Sequence, residues 1–441
     1  MLGASCAART YGSVEGSVTI RTIRYLGNKR KLVPRISELA RGILRPGDTF
    51  VDLFAGSCAV GFSVLDDYRV VANDVELYSY CVARALIQDC HRTLAADEAA
   101  HLLRDCYSRA FAELTEPFSG LLEREEYLLH RPRAFRKYAD FCAKTPHVGN
   151  LPVDSLSPEV LVIFERAQAK ASALPYCLFS TYFMNSYFGV RQCIQIDAIR
   201  CAIDRVAGPF RDPQDDVLFH KLIAALIYAA SECVSSPGHF AQYNAPNNRN
   251  INMYVVRQRS KDIWECFLGS VEELFGTDKS NGEQNHALQE DAGSLLDPSS
   301  SWYGLITRDS LIYADPPYTE DQYSRFYHVL NTLILYDYPD CRGKGRYRSD
   351  RYVSHFSLKS TAATRLEALL RKVAAAGVPL ILSYLDEGLV DLSALAGLCR
   401  SHFAAVDSVE IDYNHSNQGR SPDTCTTRKP RRKEMLYVCL P

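Results

Sequence analysis

The segment Thr49-Phe50-Val51-Asp52-Leu53-Phe54 is a short apolar run that feeds a glycine turn at Gly56, and no other feature constrains the fold as strongly. A second run, Val70-Val71-Ala72-Asn73, follows, and residues 77–92 then carry helical spacing. Strand, turn, strand and helix in this order make a β-α-β beginning. That favours a parallel sheet, because parallel neighbours need a crossover connection. The texture returns at the other end of the chain. Ser310-Leu311-Ile312-Tyr313-Ala314 reads as a buried strand, residues 361–376 as an amphipathic helix, and Val378 to Tyr384 as another strand. Ala405–Tyr413 and Glu434–Leu440 read as a terminal hairpin with a long basic tip.

Residues 93–285 differ: they are mostly helix-forming, with few β-branched runs. Within them the aromatics of 176–188 fall at helical spacing, which reads as core packing. Residues 244–252 (NAPNNRNIN) read as a polar loop rich in turn residues, and 277–300 as linker or exposed loop. The expected architecture is one α/β domain, residues 20–92 and 286–441, interrupted by a helical insertion, residues 93–285.

Composition bounds the function classes. At 47% hydrophobic and 23% charged, the chain has the apolar material for a sizeable core, which argues against global disorder. No stretch approaches the ~18 uninterrupted apolar residues of a membrane span. The first residues lack the basic start and apolar run of a signal peptide, so a cytoplasmic protein is expected. The 15 cysteines are odd in number and form no CxxC pair, which reads as reduced cysteines acting as small hydrophobes and no metal site. A net charge of −2 gives no whole-protein basic field. Two local clusters remain: 342–351 (RGKGRYRSDR), with Arg346 and Arg348, and 428–433 (RKPRRK), with Lys429 and Arg431. Such clusters serve as phosphate contacts or as solvated surface loops. A monomer is the expected state.

Three strand ends carry the chemistry. Ligands of open α/β sheets bind outside the carboxyl ends of the strands. Gly56, after Asp52 and Phe54, would let backbone approach a ligand closely. The segment is neither GxGxxG nor a phosphate-binding P-loop, since Phe62 stands where that motif needs Lys, so a dinucleotide or nucleoside triphosphate is disfavoured. Asp74, at the end of the second strand, could accept from both ribose hydroxyls of a nucleoside ligand, or equally cap a helix. Asp315-Pro316-Pro317-Tyr318 follows a buried strand with two residues that have no N–H donor. Carbonyls there, with the Asp315 carboxylate, make an acceptor-only pocket. An aromatic amino group donating both of its N–H bonds there would have its lone pair freed for attack on an electrophilic methyl group. Tyr318 could stack on the base bearing that amino group, which must leave the helix to reach the site.

These segments, in this order, resemble the D12 class of adenine-specific DNA methyltransferases, to which the Dam-type enzymes belong. Arg24-Tyr25-Leu26-Gly27-Asn28-Lys29 resembles the family's N-terminal signature, DLFAG (Asp52 to Gly56) its methionine-binding turn, and Asn73-Asp74 its ribose-binding acid. Asp315 to Tyr318 resembles its catalytic loop, Glu290-Asp291-Ala292 the segment whose acid contacts the cofactor's adenine, and EMLYVCL its last strand. The resemblance implies a Rossmann-like methyltransferase fold, S-adenosyl-L-methionine as cofactor and double-stranded DNA as partner. It implies cofactor contacts by Tyr25, Lys29, Asp52, Phe54, Gly56, Asp74 and Asp291, and catalysis by Asp315, Pro316, Pro317 and Tyr318. Its target-recognition part falls in the insertion, where YFGVRQ makes Arg191 a candidate DNA contact. Cytosine-N4 or RNA amino-methyltransferases, and an inactive nucleic-acid-binding relative, are the alternatives.

Overall fold

The computed structural model describes residues 29–90, 94–131, 135–148, 150, 157–170, 176–208, 217–277, 284–414 and 431–441. Tyr25 and Lys429 lie outside the described residues, and of Arg431 the backbone alone is described. In chain order, helix α1 (Val33–Arg41) precedes strand β1 (Thr49–Asp52), helix α2 (Ala59–Ser63), strand β2 (Arg69–Asn73) and helix α3 (Leu77–Ala83). The helical insertion follows: α4 (Ala96–Leu129), α5 (Phe135–Lys144), α6 (Pro158–Gln168), α7 (Leu178–Tyr182), α8 (Val190–Ala207), α9 (Val217–Cys233), α10 (Arg249–Arg259) and α11 (Ile263–Gly276). The chain then returns to the sheet through β3 (His286–Leu288), α12 (Ala292–Leu295), β4 (Ser310–Ala314) and α13 (Tyr323–Leu335). A two-stranded ribbon, β5 (Cys341–Arg342) and β6 (Tyr347–Arg348), leads to α14 (Ala362–Ala376), β7 (Leu380–Leu385), α15 (Leu392–His402), β8 (Ala405–Asn414) and β9 (Arg431–Leu440).

The main sheet has seven strands in the order β3-β2-β1-β4-β7-β9-β8. The first five run parallel, and β9 is antiparallel to both of its neighbours. The order reverses direction at β1 and β4, so their carboxyl ends flank a crevice where ligands bind. Side-chain alternation divides the core into two layers. Phe50, Val70, Leu311, Tyr313 and Ile381 face one side, together with α3 and the insertion helices. Val51, Val71, Ile312, Ala314 and Leu382 face the other, against α12, α14 and α15. The first layer is continuous with the buried residues of α7, α8 and α9, so the insertion shares its core with one face of the sheet. This mixed, mostly parallel sheet is that of a Rossmann-like methyltransferase.

Local structure departs from the sequence pattern in three places. Helix α3 stops at Ala83 and continues as a π-helical turn over Arg84–Gln88. That turn anchors the edge strand: Asn285 donates to the Ile87 carbonyl, and the Gln88 amide oxygen accepts from the Ala287 N–H. Residues 286–288 therefore pair in the sheet, as a strand that the sequence pattern did not single out. The aromatic run 176–188 is helical over Leu178–Tyr182 alone. Asn185 adopts a left-handed backbone (φ 53°), and the Arg259 guanidinium holds the Asn185 side chain and the Ser186 carbonyl. The aromatics pack in the core, as their spacing implied.

Candidate active site

Each strand end delivers one acid, and hydrogen bonds fix each acid in place. Asp52 closes β1 and is 1% exposed. Its carboxylate accepts the Phe54 and Gly61 N–H groups, while Oδ1 has no hydrogen-bond partner among the described residues. Burial, then the nearby charges of Asp315 and Asp74, push its pKa up to about 8 against the opposing pull of the backbone donors. Gly56 has φ 51°, a left-handed conformation that glycine takes without steric cost. The turn is tied to β2 by Asp74, whose carboxylate accepts the Gly56 N–H at 2.8 Å and the Glu76 N–H at 3.0 Å. Asn73 joins three strand ends: it donates to the Leu53 and Glu290 carbonyls and accepts the Glu290 N–H. Asp291 caps α12 through the Gly293 and Ser294 N–H groups and accepts the Tyr352 hydroxyl at 3.1 Å.

Asp315 follows β4 directly. Its carboxylate lies 3.0 Å from the Lys29 ammonium, and Lys29 also donates to Glu434 of β9. Glu434 in turn accepts the Ser383 hydroxyl of β7 at 2.6 Å. Burial opposes the charge on Lys29, but Asp315 and Glu434 outweigh it and hold its pKa well above the usual value. Burial raises Asp315 to about 6; Lys29 pulls it down and Glu434 pushes it up. At neutral pH Asp315 is therefore mostly ionised and acts as an acceptor. Tyr318 is 5% exposed, with its ring edge-on to Tyr384 and the Lys29 ammonium 5.2 Å from its centroid. In this conformation it supports the loop from below, and stacking on a base requires the loop to turn it outward.

One cleft of about 690 Å³, open solvent included, joins these ends. Its lining includes Phe54, Asp74, Asp291, Asp315 and Pro317. Sequence reasoning missed several of its walls. Glu76, raised to about 7 chiefly by burial, is held by the Asn331 amide of α13. Tyr323 and Phe356 supply aromatic surface, and Phe54 meets Phe356 edge-on at 5.5 Å. Gln322 and Ser354 exchange two hydrogen bonds and so join the loop after Asp315-Pro316-Pro317-Tyr318 to residues 352–354. Tyr323 carried a signal, its helical spacing with Tyr327. The residues between 352 and 356 carried none, because the ribbon that delivers them has no recognisable motif. Glu434 was visible only within the last-strand resemblance.

Two expected DNA contacts, Arg346 and Arg348, hold partners within the chain. Arg348 is 5% exposed and pairs with both Asp337 and Asp350, which consume its guanidinium. Arg346 is half-buried and donates to the Tyr182 carbonyl and the Ser186 hydroxyl. Both tie the β5–β6 ribbon to its surroundings. Arg191 is half-exposed and pairs with Glu126 at 3.0 Å and with Asp262. His328 is buried against the Phe240 carbonyl and the Tyr187 hydroxyl, and burial lowers its pKa to about 3, so it stays neutral.

Fold and cleft together define a Rossmann-like methyltransferase. The family model described as D12 class N6 adenine-specific DNA methyltransferase matches residues 25–148 and 283–375, and the chain belongs to that family. It is 25% identical over 398 residues to modification methylase LlaI of Lactococcus lactis subsp. lactis, covering 89% of this chain and 50% of that protein. It is 24% identical to type II methyltransferase M.FokI of Planomicrobium okeanokoites over 86% of this chain and 47% of that protein. Type II methyltransferase M.NlaIII of Neisseria lactamica is 25% identical, over 89% of this chain and 91% of that protein. The chain thus spans about half the length of the first two relatives and nearly all of the third.

Proposed function

We propose that the chain transfers a methyl group from S-adenosyl-L-methionine to the N6 amino group of adenine in duplex DNA, as a modification methyltransferase. The observation that carries this reading is the shared cleft, in which Asp315 and Pro317 face the same space as Phe54, Asp74 and Asp291. The charge of the cleft fits the cofactor. Burial, and then neighbouring carboxylates, raise Glu76 and Asp315 of the lining to about 7 and 6 and Asp52, next in chain to the lining residue Leu53, to about 8, and a nearby cation offsets that cost. S-adenosyl-L-methionine has a sulfonium and an ammonium, and its sulfonium methyl supplies the electrophile. Asp74 would take the ribose, Phe54 and the Gly56 turn the methionine side, and Asp291 the adenine.

The chain's own residues supply positioning. The Asp315 carboxylate accepts an N–H from the target amino group, while Pro316 and Pro317 keep competing donors out of the pocket. Lys29 keeps Asp315 ionised and fixes its direction without touching the base. Tyr318 stacks on a flipped adenine once the loop turns outward. The rate gain comes from orientation and preorganised charge. Incubation with methyl-labelled cofactor and duplex DNA, followed by digestion to nucleosides, tests this. The label is expected in N6-methyladenine; label in N4-methylcytosine, in RNA or in protein overturns it.

A further inference from the structure

A second cleft lies in the insertion, between the end of α4, the start of α5 and the N-terminus of α10. It is larger and more open than the first, at about 1690 Å³ with open solvent included. Arg131, Arg136, Lys137 and Arg249 line it, with no carboxylate among the described lining residues. All four cations are exposed. Exposed Tyr127 carries the Arg131 guanidinium 4.2 Å from its ring centroid, which presents a flat cationic and aromatic surface at the rim. Asn252 also lines the cleft. It is 5% exposed, and its Oδ1 has no hydrogen-bond partner among the described residues. A buried, unmatched acceptor is costly unless a ligand or water supplies the donor.

The walls are built to stay in place. Beneath them Leu128, Tyr138 and Val255 form a small core of their own. The buried Arg259 bonds to the Tyr138 hydroxyl, and that hydroxyl bonds to Glu125 of α4. The cleft is also coupled to the first one. Residues 235–248 run between them: Phe240 donates to the Phe326 carbonyl of α13, and the Tyr254 hydroxyl of α10 donates to the Ser236 carbonyl. Helix α13 begins at Tyr323 and Ser324, which line the first cleft. A long polyanion held at α10 thus lies one loop away from the methyl-transfer cleft.

We propose that this second cleft grips duplex DNA beside the target base; the proposal rests on the DNA reading above and deepens it. Arg131, Arg136, Lys137 and Arg249 neutralise backbone phosphates. Asn247, exposed at the same rim, offers an amide that can pair with a base edge. Arg191 lies outside this set, since Glu126 and Asp262 already neutralise it.

The test is duplex-DNA binding by the full chain, measured by fluorescence anisotropy across a salt series, together with cofactor binding by calorimetry. The Arg131→Gln/Arg136→Gln/Arg249→Gln variant is expected to lose at least about tenfold in DNA affinity, with a salt slope shallower by about three. Its cofactor affinity should be unchanged, and the matching triple Lys variant should bind DNA within a few fold of wild type. Wild-type DNA affinity and slope in the Gln variant, alongside intact methylation by the wild type, overturn this inference and leave the function standing. A wild type that neither binds nor methylates duplex DNA, or that prefers RNA or an acidic protein at this face, overturns both.

Discussion

The two clefts are opposites. The sheet-end cleft collects carboxylates that burial and mutual repulsion keep partly protonated. The insertion cleft collects exposed arginines and lysine with no acid among its described lining residues. A net charge of −2 averages over both and conceals each. Segregation of charge, rather than total charge, is what the proposed cationic cofactor and polyanionic substrate call for. The first cleft uses charge at short range, inside a low-dielectric wall; the second uses it at the surface, where salt screens it.

The comparison can be broken most sharply at Asp315. Asp315→Ala is expected to lower single-turnover methylation by about a thousandfold, while cofactor binding by calorimetry stays within a few fold. Activity retained in that variant would remove the acceptor role. The insertion side is next. Arg259→Ala leaves Glu125 buried without its compensating cation and the Asn185 amide oxygen and Ser186 carbonyl without their donor, and a loss of about 3–5 kcal/mol in urea unfolding is expected. DNA binding should weaken with it, whereas an unaltered unfolding midpoint would mean the pair carries no structural weight.

The charge balance of the first cleft gives two finer tests. Glu434 raises the pKa of Asp315, so Glu434→Gln should move the acid limb of the methylation pH profile below about 6. A limb that moves upward instead would mean that Lys29 needs Glu434 to stay over Asp315. Ionised carboxylates favour a cation, so cofactor affinity should rise between about pH 6 and pH 8 with release of protons, read by calorimetry in two buffers. Without ligand the sign reverses for stability. Asp52 holds a proton in the folded state that the unfolded chain has released, so its contribution falls as pH rises from about 4 to about 8. An affinity that is flat across that range would place these acids away from the bound cation. The smallest effect is expected at Arg191→Ala, whose exposed ion pairs should cost under about 1 kcal/mol in the same unfolding assay.

Much of the sheet was legible because strand ends carry local signals. An apolar run followed by Asp-Leu-Phe-Ala-Gly, or by Asp-Pro-Pro-Tyr, states where a parallel strand stops and what chemistry its end offers. The insertion was legible as helix and no further. Its cleft joins Arg131, Arg136 and Lys137, a short basic run, to Arg249, which only helix packing brings beside them. In the basic stretch 342–351 the sequence shows the charges and not their partners: that Arg348 pairs with the Asp337 carboxylate depends on where the ribbon folds back.

The sequence by itself determined the order of the strand ends, the acids that occupy them and the donor-free loop after β4, because period and turn chemistry act over a few residues. Tertiary structure alone decided that Lys29 meets Glu434, 405 residues away, and that two charged clefts share one connecting loop. Those choices depend on sheet register and on helix packing across long separations, where each residue's role is set by what the rest of the chain brings beside it.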